Sequence, residues 1–328
     1  MDTIVVTSFI LPRDREASTM PAAMPLTPPQ RLTLSREVLE GLATGDALGE
    51  ACSYSYETVR PKLSGKLPPL GSLRYTDDTE MASAVLEVLV RLGGIDEDVL
   101  AWQFRRRYHR DSERGYGKMT RRWLEQTLAG EDWRAVTARA FGGGSYGNGS
   151  AMRVAPVGAW FHDDMAKVVK FATASAVVTH AHPEGIAGAV AVAVATAAAV
   201  AGCGRPVEEV AGAIFKATRT YTPEGKTADG IARAQRLGPG APLREAVAAL
   251  GNGSDISCMD TVPFCLWNAC RCLADYREAI ISTIEAGGDC DTNAAIVGAI
   301  VAGFTGQNGI PPDWLEAREA LFIEGGAL

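Results

Sequence analysis

The sequence predicts an all-α fold built as one domain, and three observations lead there. Apolar residues recur at helical spacing in one segment after another. No stretch alternates strictly between apolar and polar residues, and Val/Ile-rich runs bounded by turns are missing. Residues 31–328 hold no linker and no repeat of about 20 to 50 residues. A chain of 328 residues, 47% hydrophobic and 22% charged, has the composition of a soluble globular protein and ample length for a core.

Residues 1–30 are Pro-rich and aperiodic and are expected to form a flexible extension. Asp2 stands where a secretory signal would be basic, and the apolar run 4–11 ends in Pro12-Arg13-Asp14. Residues 35–48 carry Val38, Leu39 and Leu42 on one side, with Ser35 as a cap. Residues 80–92 give the clearest helix. Met81, Ala84, Val85, Val88 and Leu89 fall at i, i+3, i+4, i+7 and i+8, and Gly93-Gly94 closes it. The run from Arg105 to Arg110 lacks the aromatic interleaving of single-strand binders and is expected to be a solvated helix face. Residues 163–179, 207–218, 243–250, 261–276, 276–286 and 312–322 read as further helices. Residues 186–203 and 292–310 are uncharged and near membrane-spanning length, but they are mostly Ala, Gly and Val. They are expected to be central helices whose small residues let backbones approach closely. Seven cysteines without a CxxC pair point to free thiols in a reducing cytoplasm; Cys258, Cys265, Cys270 and Cys272 lack a nearby His for zinc.

Two acidic clusters carry the chemistry. Thr76-Asp77-Asp78-Thr79 and Asp289-Cys290-Asp291-Thr292, the second preceded by Gly287-Gly288, each open a helix. Asp and Thr also cap helices, but a cap uses one side-chain oxygen, and each cluster supplies three oxygen-bearing residues. Neighbouring carboxylates repel and call for a cation, and donors that are all oxygen suit Mg²⁺ or Mn²⁺ rather than zinc or copper. Between two helices lies Phe141-Gly142-Gly143-Gly144-Ser145-Tyr146-Gly147-Asn148-Gly149. Its glycines expose backbone N–H groups as a nest for phosphate oxygens, and Phe141 and Tyr146 can sandwich an adenine. In Thr179-His180-Ala181-His182-Pro183, one histidine is expected to touch ligand and the other to end a helix. A zinc pair there lacks a third ligand.

Taken in order, Gly41 to Gly49 (GLATGDALG), Tyr75 to Met81 (YTDDTEM), Arg114-Gly115-Tyr116-Gly117, Gly144 to Gly149 (GSYGNG), Thr179-His180 and Gly287 to Asn293 (GGDCDTN) resemble the ADP-ribosylglycohydrolase family. The likeness spans about residues 36 to 306, nearly all of the expected folded part. It implies an all-α enzyme with two Mg²⁺ or Mn²⁺ ions that releases ADP-ribose from a modified acceptor. It implies Thr76, Asp77, Asp78, Asp289, Asp291 and Thr292 as metal ligands, and Gly144, Ser145, Tyr146, Gly147 and Asn148 around the diphosphate. Phe141 and Tyr146 would flank adenine, His180 would contact ligand, and the turn with Gly115 and Gly117 would line the cleft.

The pattern departs from the family at Ser53. Members that cleave ADP-ribosyl-serine carry a glutamate there, touching the metal site. The nearest acids are Glu50 and Glu57, and Glu57 is expected on a Tyr-rich loop folding back to the metals. Cleavage at C1 of the distal ribose passes through an oxocarbenium-like state, with Asp77, Asp78, Asp291 and Glu57 the expected catalytic carboxylates. The expected activity is thus an ADP-ribosyl N- or O-glycosidic hydrolase; a non-catalytic ADP-ribose reader is the alternative that Ser53 motivates. The expected partner is ADP-ribose or an ADP-ribosylated macromolecule, met by a cytoplasmic monomer. A net charge of −7 argues against nonspecific nucleic-acid binding.

Overall fold

The structure, a computed structural model, describes residues 26–63 and 71–324, with no side chains described for 54–63. The expected flexible extension therefore lies almost wholly outside the described residues. Fifteen α-helices account for most of the rest: α1 (Pro28–Leu63), α2 (Asp77–Leu92), α3 (Glu97–Arg110), α4 (Lys118–Leu128), α5 (Trp133–Arg139), α6 (Ala155–Trp160), α7 (Met165–Val177), α8 (Pro183–Ala201), α9 (Val207–Tyr221), α10 (Lys226–Leu237), α11 (Leu243–Leu250), α12 (Cys258–Arg271), α13 (Tyr276–Glu285), α14 (Cys290–Thr305) and α15 (Pro312–Ala317). Among the described residues, the extended pairings are two isolated bridges, Leu73 with Arg318 and Gly147 with Ser257.

The most extensive helix–helix contact joins α1 to α14, and small residues at a spacing of four make it possible. A Cβ at Gly41 would overlap Ala302, at Gly45 the carbonyl of Ala294, and at Gly49 the backbone of Cys290 and Asp291. Each glycine thus lets two backbones touch where a larger residue would hold them apart. α8 and α12 pack on the same centre. α8 is long and apolar enough to cross a membrane, with a mean hydropathy of 1.8, but 83% of that window is buried inside the fold. The expected central helices at 186–203 and 292–310 are therefore α8 and α14. All seven cysteines are free, and only Cys203 is exposed.

Several expectations need correction. Ser35 is no cap: it sits within a 36-residue helix, and its hydroxyl donates to the Pro156 carbonyl at 3.3 Å. The same helix runs on through Glu57, so there is no loop at that position to fold back over the acid clusters. The helix expected at 261–276 starts at Cys258 and stops at Arg271, and Asp275 caps α13 with its carboxylate accepting from the Glu278 N–H at 2.9 Å. α15 ends at Ala317, well short of residue 322. The basic run is only partly a solvated face. Arg107 is 3% exposed, and its guanidinium meets Glu80 at 2.6 Å and Glu87 at 2.5 Å, while Arg110 reaches Glu80 at 2.7 Å. Buried carboxylates on α2 recruited these arginines, a pairing that helix periodicity does not reveal.

Candidate functional site

The first acidic cluster is built at the start of α2. Thr76 caps the helix, its hydroxyl accepting from the Asp78 N–H at 3.2 Å. Asp46, fully buried on α1, clamps the same turn from below. It accepts from the Thr76 N–H (3.1 and 3.0 Å to its two oxygens), the Thr79 N–H (3.1 Å) and the Thr79 hydroxyl (2.6 Å). From the other side, the Asp77 N–H donates to the Arg114 carbonyl at 2.6 Å. Gly115 follows with a φ of 79°, and a Cβ there would lie 3.6 Å from the Thr76 Cβ and 3.9 Å from the Asp77 Oδ1. Arg114 itself turns away, pairing with Glu319 and Asp111, so this turn offers the site backbone rather than its cation. Gly117 precedes α4 as its cap.

The second cluster opens α14. The Asp289 N–H donates to the Asn252 carbonyl at 3.3 Å, and Gly253 (φ 82°) closes over the Asp289 Cβ. Asn148 of the glycine loop is buried and donates its side-chain amide to Asp289 Oδ2 at 2.7 Å and to the Thr261 hydroxyl at 3.0 Å. One amide thus ties the loop to this cluster.

Electrostatics place the two clusters against each other. Burial raises the Asp77 carboxyl well above the ordinary range, and the charges of Asp291, Asp46 and Asp289 add to it. Asp78 is raised by burial and then by Asp46, Asp291, Asp77 and Asp289. Asp289 is pushed up to about 7 by burial and Asp291, against hydrogen bonds from Asn148 and Thr292. Such mutual repulsion is uncompensated negative charge. Asp78 Oδ2 is also buried with no hydrogen-bond partner. Among the described residues, no three Asp, Glu, His or Cys side chains are gathered as a ready-made ion site. The donor set nonetheless fits a hard divalent cation, because it is all oxygen, repelling, and includes an orphaned carboxylate atom.

The glycine loop stands beside this acid pair. Gly144 has a φ of 94°, and a Cβ on it would strike Ala181 and His182; Gly147, at φ −60°, has an ordinary backbone. The loop is pinned by Asn148 N–H to Ile256 O (3.3 Å), Cys258 N–H to Tyr146 O (3.0 Å) and the Cys258 thiol to Gly147 O (3.1 Å). Gly147 N–H is already bonded to the Ser145 hydroxyl at 3.1 Å. Phe141 (63% exposed) and Tyr146 (43% exposed) face each other with centroids 6.2 Å apart and planes tilted by 34°. A base stacked between parallel rings needs about 7 Å, so the pair must open slightly to take an adenine. A cleft of about 210 Å³ lies next to them, bounded by Phe141, Ser145, Thr179 and His180 on one side and by α4 and α5 on the other.

His180 is buried, and its pKa is pushed down to about 3 by that burial and by Arg153. His182 is the helix-end residue of the pair: it caps α8, Nδ1 accepting from the Glu184 N–H at 3.1 Å, with its ring edge-on to Tyr146. Of the two acids near Ser53, Glu50 is half-buried, and burial and Asp291 raise its carboxyl. That places Glu50 within the field of the second cluster. The Glu57 side chain lies outside the described residues. Ser53 donates to its own helix, at Gly49 O (3.0 Å). Sequence reasoning gave no role to Asp46 or Arg153. Asp46 had a signal, an acid inside a glycine-spaced helix; Arg153, at the end of the loop, had none.

A family model described as ADP-ribosylglycohydrolase matches residues 27–326. An ADP-ribosylhydrolase ARH3 of Gallus gallus is 30% identical, with 90% of each chain covered. An uncharacterized protein of Archaeoglobus fulgidus is 33% identical over 88% of this chain and 93% of its own. A solved chain from an ADP-ribosylglycohydrolase-related protein complex shares the fold with a TM-score of 0.63 at 24% identity, covering 89% of this chain and 94% of that one.

Proposed function

The chain belongs to the ADP-ribosylglycohydrolase family, and from that premise we propose that it releases ADP-ribose from an ADP-ribosylated acceptor, hydrolysing the N- or O-glycosidic bond at C1 of the distal ribose with two Mg²⁺ or Mn²⁺ ions. The observation that carries this reading is the 2.7 Å bond from Asn148 to Asp289, which joins a phosphate-type loop to a pair of repelling acid clusters.

Thr76, Asp77, Asp78, Asp289, Asp291 and Thr292 would hold the ions. Bound there, divalent ions would supply the positive charge to orient ribose hydroxyls and an attacking water and to lower the pKa of that water. Asp77 and Asp291 keep lone pairs to accept the water's proton. We assign proton delivery to the leaving group to Glu50, because of its place beside Asp291, with Glu57 the second candidate. The loop at residues 144–148 and the exposed face of Gly115 and Gly117 line the diphosphate path, with the backbone of Ser145 and Tyr146 rather than the internally bonded N–H groups of Gly144, Gly147 and Asn148 turned to the phosphates, and Phe141 and Tyr146 close on the adenine. With a net charge of −7 repelling an anionic substrate, local donors must supply the attraction.

The test is free ADP-ribose measured after incubation with substrates ADP-ribosylated on serine, on arginine and on nucleic acid. Release from at least one is expected, lost in excess EDTA and in Asp77→Ala and Asp291→Ala proteins of unchanged helicity. Full turnover with the metal removed would sink the metal-dependent reading. One observation favours a reader: Ser53 bonds its own helix and leaves no acid at that position. Tight ADP-ribose binding without release from any acceptor is the result that reading expects.

A further inference from the structure

Arg153 is buried, and its hydrogen-bond partners are all neutral, while the charge of Asp77 acts on it and opposes the effect of burial. Its guanidinium, 1% exposed, donates to the carbonyls of Gly149 (3.1 Å) and Ser175 (2.8 Å) and to the Thr179 hydroxyl (2.8 Å), and it lies 4.6 Å over the Phe104 ring. Among the described residues no carboxylate pairs with it. The Thr179 oxygen is in turn 2.7 Å from His180 Nδ1.

The direction of that last bond follows from donor counting. A guanidinium only donates, so the Thr179 oxygen accepts from Arg153, and the hydroxyl keeps one hydrogen to give. His180 Nδ1 is the acceptor within its reach. Donation by an Nδ1–H instead would leave the buried threonine hydrogen unsatisfied. The ring proton therefore sits on Nε2. That nitrogen faces the bend of the glycine loop: Cβ atoms built on Gly147 and Gly149 would lie 3.5 Å and 3.4 Å from it, space that the absent side chains leave open.

We infer that Arg153 and Thr179 are positioning residues that fix His180 in its Nε2–H tautomer, so that a neutral imidazole presents a hydrogen-bond donor to an anionic oxygen seated in the 147–149 bend. A fixed neutral donor needs no proton uptake when the anion arrives. The inference deepens the functional reading above, which supplies the anion: the diphosphate of ADP-ribose.

The tautomer is read directly by ¹⁵N NMR of histidine-labelled protein, where four histidines keep assignment simple. Wild type and Thr179→Ser are expected to carry the proton on Nε2 alone. Thr179→Val, similar in volume but without the hydroxyl, is expected to populate both tautomers and to bind ADP-ribose about tenfold more weakly by calorimetry, with Thr179→Ser restoring affinity to within about twofold. Arg153→Lys, whose point-like ammonium cannot span acceptors served by two separate guanidinium nitrogens, is expected to shift the tautomer in the same direction. A wild-type proton on Nδ1, or a Thr179→Val protein with Nε2–H alone, overturns the relay whether or not nucleotide binds. A shifted tautomer with unchanged affinity overturns its role in binding. If wild type does not bind ADP-ribose, the functional reading fails separately, and inorganic pyrophosphate becomes the probe. The same ranking of variants then supports the donor site, and absence of pyrophosphate binding overturns it.

Discussion

Asp46 sits on α1, yet all three donors it accepts from belong to the first turn of α2, the turn that presents Thr76, Asp77 and Asp78. Its work is geometric: it fixes the angle at which the Asp77 and Asp78 carboxylates leave the helix. Asp46→Ala leaves two backbone N–H groups and a hydroxyl unsatisfied in a buried place, at a cost of about 2–4 kcal/mol. Urea denaturation measures that loss, and an unchanged midpoint contradicts the clamp. At Glu50 and Glu57 the account separates chemistry from binding. Glu50→Gln is expected to lower turnover about a hundredfold while ADP-ribose affinity holds, as for a group acting on the transition state. Glu57→Gln is expected to be near wild type; the reverse pattern, read from kcat and calorimetry, would move the acid to Glu57.

The meeting of α1 and α14 delivers Asp46 and Asp291 to the same place, and it depends on a stripe of glycines. Gly45 lies against the Ala294 carbonyl so closely that a methyl group has no room. Gly45→Ala must push the helices apart or distort one of them, at about 1–3 kcal/mol, and because α14 carries the second acid cluster and α1 carries Asp46, which clamps the first, it should also weaken metal binding. A denaturation midpoint and a metal titration both at wild-type values contradict the argument. The uncharged, small-residue run 292–310 made α14 legible in the sequence as a central helix, though not its glycine-lined partner α1. That each acid cluster opens a helix was legible too, since Thr76 and Asp289 stand at the starts of α2 and α14. What stayed hidden depends on partners far apart in the chain. Arg107 looks like a surface charge until Glu80 and Glu87 arrive from α2. Arg153 gives no periodic signal at all, because its acceptors come from the loop and from α7. Glu57 was read as a loop residue from its tyrosines, but α1 simply continues.

Across the whole molecule, helix packing holds repelling carboxylates together, and that repulsion has a pH signature. Asp46 and Asp289 are pushed up to about 7 by burial, and Asp77 and Asp78 well above their usual value, from 3.8 for an ordinary aspartate. A raised carboxyl contributes stability below its unfolded pKa and loses it as pH climbs through the folded value. In EDTA, the cluster's contribution should therefore fall between about pH 4 and pH 7, lowering the urea midpoint. Asp78→Asn should flatten that decline and raise the neutral-pH midpoint, and Mg²⁺ should do the same for wild type by binding only the folded state. A midpoint that rises with pH over this window in EDTA contradicts the picture. The central claim is that the acid clusters and the glycine loop form one site, so that cation and nucleotide are thermodynamically linked and each tightens the other. Calorimetric titration of ADP-ribose into wild-type protein, in saturating Mg²⁺ and again in excess EDTA, measures that linkage. The account predicts at least about tenfold tighter binding with Mg²⁺, and equal affinity in the two conditions would contradict it.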